Sequence, residues 1–475
     1  MKSNNFYKWF NKVLSVFISI FLMLALISAV YVSCYLLKDN IKYFVFAILA
    51  VSLIVILALF RKRIYKFVNK TFSKIKELDK KKMLMIIIIT AIVLKIIYSI
   101  FLYFDPTLTK DVTSNYMVLV DKFVNEGQLS NTIGTQLYTF VIHLSLIKFL
   151  HIPMHIGLFV IILVTIIINF ITFEKVIGKE KSFLASMLYT LMPSTILLSF
   201  CPVNEIFVMF YISLILYLLE KIIRSNNKTE SIISSLLLGI CIFIVNKLSY
   251  IGLVLLFIIG FIILFTKAEK TKRFYITGAL IISVVLSNLT TYSLTYEWRN
   301  KENLYFTLLH GSNVESGGRF VEDYAFDIVD NYLQVNNLED THDNQEEALN
   351  KALISNYSKL VSNPTSIIEL LTNKFYILFS GSHYAVEMLN NTKTISSILF
   401  YTLLGINEVM YIIALLIGLI TFTRAHDHVT VSVLELIILM MSIVLLVCEA
   451  MNRYSLFLIP YVMFICIARF NRAKL

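Results

Sequence analysis

Apolar residues in this chain come in continuous runs of roughly 20, the length at which a helix covers the hydrocarbon core of a bilayer. The runs are 14–37, 42–60, 83–104, 155–173, 182–200, 203–222, 231–247, 248–266, 275–294, 398–421, 431–449 and 454–469. They do not alternate with polar residues, so they read as helices and not as barrel strands. The expected fold class is an all-α polytopic membrane protein of about 12 transmembrane helices, with surface-lying helices and an external polar region. With 58% hydrophobic and 15% charged residues among 475, the composition lies outside the range of soluble domains. Residues 1–13 are basic, but no small-residue cleavage site follows the first run, which therefore reads as a retained helix.

The net charge of +11 is concentrated in short loops: Lys2 to Lys12, Arg61 to Lys82, Lys267 to Arg273, and Arg469 to Lys474. Such loops follow the positive-inside rule, so the charge speaks for topology and against nucleic acid as a partner. Anchoring 61–82 on the cytoplasmic side sends 83–104 outward and makes 105–134 external. If 135–151 lies on the outer surface instead of spanning, then 174–181, 221–230, 267–274, 422–430 and both termini all fall on the cytoplasmic side. The chain then divides into an N-terminal two-helix addition with its basic loop (1–82), a membrane core (83–294), an external polar region (295–397) and C-terminal helices (398–475). The five cysteines lie in or at the ends of apolar runs without metal-ligand spacing and read as packing residues.

Five polar elements are expected on the outer face. In the first loop, Val112, Tyr116, Leu119, Val120, Phe123 and Val124 share a helical face, which predicts an amphipathic helix over 112–126 stopped by Gly127. Asp111 stands at its start, as an N-cap or as a functional acid. Glu205 opens a hydrophobic helix, where the dipole favours an acid whatever its role. Lys247 sits in a short external turn. It calls for a partner, which is Glu205, a lipid headgroup or an anionic ligand, unless it snorkels to water. Near the C-terminus, Glu449 and Arg453 have ion-pair spacing if the helix continues through them, and Arg453 could instead grip a phosphate. Within the polar region the pattern predicts a helix over 344–360, ending before Asn363-Pro364, and an amphipathic helix over 365–382 lying on the membrane surface. The histidines lack metal-ligand spacing, although Asp111 and Glu205 could hold a divalent cation through oxygen.

Taken in order, these residues form a familiar series. Asp111, Tyr116 and Gly127 come first, then Pro193 and Glu205, then Lys247. A GSNxESGGR stretch follows, containing Gly311, Asn313, Gly317, Gly318 and Arg319, and the series closes with Arg453, Tyr454 and Pro460. Together they resemble the GT-C superfamily of polyprenyl-phosphate-sugar-dependent glycosyltransferases, which includes protein O-mannosyltransferases and lipid A aminoarabinose transferases. The resemblance spans roughly 83–470, by residue order alone. It departs from the family where an Asp-Glu pair, an Arg-Pro turn and a Pro-Pro helix start are expected.

The resemblance implies inverting transfer from a polyprenyl-phosphate-linked sugar to a cell-envelope acceptor (glycan, lipid or protein) at the extracytoplasmic face of the cell membrane. Asp111 would be the general base. Glu205 would orient the acceptor or hold a metal. Lys247 and Arg453 would bind the phosphate, Arg319 would be a further substrate-binding residue, and Tyr116 and Tyr454 would line the pocket. Membrane lipids are partners in any such arrangement. The richness in Lys, Ile and Asn fits an AT-rich bacterial genome, and the carrier would then be undecaprenyl phosphate. Two alternatives stand beside it: a lipid-linked saccharide flippase or transporter, which would place polar groups on interrupted helices near the midplane, and a polysaccharide polymerase or ligase using Arg319 and His310.

Overall fold

The computed structural model describes residues 5–35, 75–102, 114–127, 135–249, 251–265, 270–294, 302–319, 321, 323–379, 385–386, 397–420, 428–448, 450 and 456–469. Apart from one isolated parallel bridge between Arg319 and Ala450, the regular structure among these residues is helical. In chain order the helices are α1 (Asn5–Tyr35), α2 (Lys80–Leu102), α3 (Ser114–Glu126), α4 (Thr135–Phe149), α5 (Met154–Ile177), α6 (Lys179–Leu191), α7 (Pro193–Leu197), α8 (Asn204–Arg224) and α9 (Lys228–Leu248). They continue as α10 (Ile251–Phe265), α11 (Lys270–Leu294), α12 (Glu302–Ser312), α13 (Tyr324–Asn336), α14 (His342–Ser362), α15 (Pro364–Phe379), α16 (Ser397–Ile420), α17 (Val429–Val447) and α18 (Ile459–Arg469).

Among the described residues, eight helices are long and apolar enough to cross a membrane, and nine if α6 and α7 count as one span bent by 67°. Helices α10 and α18 are apolar but shorter, and the expected run 42–60 lies outside the described residues. The bend has a local cause. Proline at the first position of α7 cannot donate to a preceding turn, and Met192 just before it is extended, so the helix restarts in a new direction.

Basic segments gather at one end of the bundle. Lys179 donates to the carbonyls of Lys76 (3.1 Å) and Leu78 (2.9 Å), Lys80 pairs with Glu174, and Arg224 donates to the carbonyl of Lys175. Lys272 reaches the carbonyl of Ile223 at 2.7 Å and Lys181 that of Ala468 at 3.0 Å. Glu220 collects Arg224, His428 and the hydroxyl of Thr430. The segments expected to share a side therefore share an end, and Asn11 joins them through Ser432 at 3.0 Å.

This connectivity also locates α4. Helix α2 leaves the basic end at Lys80 and α5 returns to it at Ile177, so the chain between them starts and finishes at the opposite end. Helix α4 is 15 residues, or about 22 Å, too short for a simple crossing. Its rings pack instead against α3 and α8.

Helix α18 is the hub, with all its residues from Ile459 to Arg469 buried. Phe464 stacks on Phe173 of α5 at 4.3 Å, and the Tyr461 hydroxyl donates to the carbonyl of Met209 in α8 at 2.8 Å. Arg469, only 1% exposed, donates to Ser19 Oγ (2.7 Å) and to the Ser15 carbonyl (3.0 Å) on α1, and pairs with Glu435 of α17 at 3.3 Å. Helix α1, read from the sequence as part of an addition, thus packs within the core. Breaking a buried pair by removing one partner costs about 3–5 kcal/mol, whereas replacing both with apolar groups is often close to neutral. Arg469→Met is expected to lower the unfolding temperature in detergent markedly, and adding Glu435→Met is expected to restore most of the loss. Equal damage from the single and double variants would show that the charge pair does not hold α1, α17 and α18 together.

Candidate functional site

The end opposite the basic one carries the polar corners that the sequence singled out. Helix α3 is described from Ser114, the expected positions 112 and 113 lying outside the described residues, and it stops at Gly127, whose φ of +68° and N–H bond to the Phe123 carbonyl (2.9 Å) terminate the helix. Its apolar face is covered by α4 rather than left to lipid alone. Tyr116 meets Phe140 edge-on at 5.4 Å, and Phe123 meets Tyr138 at 6.0 Å. Phe140 then contacts Phe207 at 5.9 Å, so a row of rings leads from Tyr116 to the first turn of α8, where Glu205 stands.

Beneath this row lies His143. Its Nδ1 faces the Thr139 carbonyl at 2.7 Å, which can only accept, so the proton belongs there and Nε2 accepts from the Tyr211 hydroxyl at 2.9 Å. This assignment makes the ring a fixed strut between α4 and α8.

Glu205 and Lys247 are brought to the same corner. Asn204 Nδ2 donates to the Leu248 carbonyl at 2.6 Å, tying the start of α8 to the end of α9. Lys247 Nζ lies 3.3 Å from the Ser287 carbonyl on α11 and 6.0 Å from the centre of the Phe243 ring. Both side chains are half-buried.

A second corner forms around the glycine stretch. Asn313 Oδ1 accepts from the N–H groups of Glu315 (3.0 Å) and Ser316 (3.4 Å), which closes the turn locally. A Cβ on Gly311 would lie 2.5 Å from the Val447 carbonyl, so the loop can rest on the end of α17 only because that residue has no side chain. Ala450 N–H donates to the Gly318 carbonyl at 2.7 Å, and Arg319 forms the bridge with Ala450, exposed to solvent. Helix α17 ends at Val447, with Cys448 extended, so it does not continue as the Glu449–Arg453 ion-pair reading required. Asp111, Glu449, Arg453 and Tyr454 lie outside the described residues.

Lys374 organises this corner and was missed in the sequence. It is 1% exposed, and its ammonium donates to the carbonyls of Leu446 (2.8 Å), Val447 (3.2 Å) and Cys448 (2.7 Å). A cation on the last carbonyls of a helix satisfies groups that have no partner within the helix and complements its dipole. Gly318 packs on the lysine stem, where a Cβ would lie 2.2 Å from Cε. The signal was available: Lys374 falls in register with Leu370 and Leu378 on the buried stripe of α15.

The predicted helices of the polar region are present. Helix α14 runs His342–Ser362, with Thr341 accepting from the Asn344 N–H at 3.4 Å as N-cap. Helix α15 packs on α1 and α17. Helices α12, α13 and α14 share a small core of Leu309, Ala325, Leu349 and Leu353. His310 is buried there between Phe306 and Tyr324, and burial pushes its imidazole down to about 4, which leaves it neutral at neutral pH.

Among the described residues, Lys95, Glu408 and Glu435 are buried well inside spans and not at helix ends. Among the described residues no three His, Cys, Asp or Glu side chains converge as metal ligands. Holding a divalent cation would therefore depend on Glu205 together with Asp111. No family model matches the chain, and no curated protein and no solved structure matches it either.

Replacing Lys374 with Met keeps the stem but leaves three carbonyls without their donor, a cost of about 1–3 kcal/mol for buried groups. Lys374→Met is expected to raise amide exchange in 311–319 and 446–450 selectively, leaving 154–177 unchanged. Unchanged exchange in both segments would remove Lys374 as the organiser of this corner.

Proposed function

We propose that the chain is a membrane glycosyltransferase of the GT-C type, moving a sugar with inversion from a polyprenyl-phosphate donor to a cell-envelope acceptor. The observation that supports this reading most is a clustering at the end of the bundle away from the basic loops. There the Asn204–Leu248 hydrogen bond joins the elements bearing Glu205 and Lys247, and the Gly318–Ala450 hydrogen bond joins the loop bearing Arg319 to Ala450, three residues before Arg453 in the chain. In this reading that end faces away from the cytoplasm, and both termini are cytoplasmic.

The chemistry would run as a single displacement. The acceptor hydroxyl oxygen bonds to the anomeric carbon while the bond from that carbon to the phosphate oxygen breaks, and the lipid phosphate departs with the electron pair. Asp111 would take the hydroxyl proton, a contribution worth about 10²–10⁴ in rate. Glu205 would orient the acceptor. Lys247, Arg319 and Arg453 would balance charge on the departing phosphate, where fixed cations act without reorganising. Tyr116, held edge-on against Phe140, would form one wall.

A second reading, transport, is favoured by the broken α6–α7 pair, with Ser194 N–H meeting Asn407 Oδ1 at 3.3 Å beside the buried Glu408. Interrupted helices with ionisable neighbours are a transporter device.

Mass spectrometry of lipid-linked sugars in cells carrying the wild type, a deletion or Asp111→Asn separates the two. The transferase reading expects the same polyprenyl-phosphate sugar to accumulate in the deletion and in Asp111→Asn. It also expects purified protein to transfer that sugar in detergent, where no compartments exist. Unchanged pools, or activity that requires sealed vesicles, would sink it and favour transport.

A further inference from the structure

Between α2 and α5, at the end opposite the basic one, lies a cavity of about 510 Å³ lined by Lys95, Ile96, Ser99, Ile100, His155 and Ile156, with Phe159 beneath. It belongs to none of the corners described above. Its walls are apolar and open sideways: Ile96, Ile100 and Ile156 are 54%, 57% and 43% exposed, on two helices that the composition assigns to the bilayer. Its floor holds a cation. Lys95 is 7% exposed and lies about 10 Å along the axis before α2 ends at Leu102.

The surroundings of Lys95 are polar enough to hold it there, but they do not neutralise it. Its ammonium donates to Ser199 Oγ at 2.7 Å, and that hydroxyl in turn donates to the Ile196 carbonyl at 2.6 Å. The Phe200 ring lies under the nitrogen at 3.3 Å to its centre, and Phe159 stands at 5.8 Å. Two rings and one hydroxyl stabilise a cation, yet neither carries a counter-charge. Among the described residues Lys95 forms no ion pair. His155, exposed on the rim and stacked parallel to Phe200 at 5.9 Å, presents a second nitrogen donor to the same space. A buried intramembrane cation is expensive without an anion, and among the described residues the cavity opens sideways past Ile96, Ile100 and Ile156.

We infer that this groove binds a bulk anionic diacyl phospholipid, with the phosphate held by Lys95 and His155 and the chains lying against Ile96 and Ile100 on one side and Ile156 on the other. The occupant is the surrounding membrane's own anionic lipid, supplied laterally. The inference does not depend on glycosyl transfer. The site adjoins the proposed transferase corner all the same, because Ser199 and Phe200 lie just upstream of Glu205 in the chain. A lipid held there would brace the bend of α6–α7 against α2.

The test compares thermal unfolding of the full chain in nanodiscs of phosphatidylcholine alone and with phosphatidylglycerol, together with native mass spectrometry of retained lipid. Phosphatidylglycerol is expected to raise the wild-type midpoint by several degrees and to remain bound. In Lys95→Met, whose apolar stem fills the same space, both effects should vanish while the phosphatidylcholine midpoint stays close to wild type. Should Lys95→Met fail to accumulate, the rim variant His155→Gln carries the test, with a smaller phosphatidylglycerol increment expected. Equal increments in wild type and variants would overturn the proposal. So would retention of added undecaprenyl phosphate with no response to phosphatidylglycerol, which would assign the groove to an isoprenoid carrier.

Discussion

A guanidinium buried at the end of a helix with no exposed residue sets the terms for the rest of this molecule. Inside a bilayer neither water nor a mobile counter-ion is at hand, so Arg469 must be met by groups the protein supplies. Ser15 and Ser19 meet it from α1, and Glu435 from α17. That requirement draws the N-terminal helix, the penultimate span and the last helix to one point. The packing of α18 against α5 and α8 then fixes the remaining helices around it. The cluster lies at the basic end, so the opposite end is left to loops and short helices that can carry chemistry.

The same logic recurs with different donors. Lys374 meets the last carbonyls of α17 and seats the glycine loop on its own stem. Lys95 meets aromatic faces and one hydroxyl, and forms no ion pair among the described residues. Asn407 offers an acceptor to an N–H freed where α6 and α7 part. Each is a polar group inside or at the edge of an apolar layer, and each joins two elements far apart in the chain.

Much of the fold was legible because its signals are local. The stop at Gly127 and the end of α14 before Pro364 follow from residues within a turn of the event, whereas 182–200 read as one run and its restart at Pro193 emerged only in the fold. Surface helices were legible as helices, but not in what they touch: α3 covers its apolar face with α4, and α15 leans on α1 and α17. The intramembrane charges were lost for another reason. A run such as 83–104 stays apolar on average when one lysine is added, so Lys95 disappears into the span that contains it. Asn11, Ser15 and Ser19 recur every fourth residue on α1, a stripe that marks a buried polar face once the partner is known. Partner identity is non-local, and periodicity carries no information about it. For the proposed site, the shared end of Glu205, Lys247 and the glycine loop followed from the topology argument, whereas for Lys374 the register with Leu370 and Leu378 marks burial but does not name the carbonyls it meets.

Everything functional in this account rests on the two ends of the bundle facing opposite sides of a membrane. Single cysteines introduced into a cysteine-free chain, labelled in intact cells with a membrane-impermeant maleimide, test that directly. Glu315→Cys and Glu339→Cys are expected to label without permeabilisation, and Lys179→Cys and Lys228→Cys only after it. Labelling of Lys179→Cys and Glu315→Cys from the same side would contradict the account, because the glycine loop and the basic loops would then share a compartment.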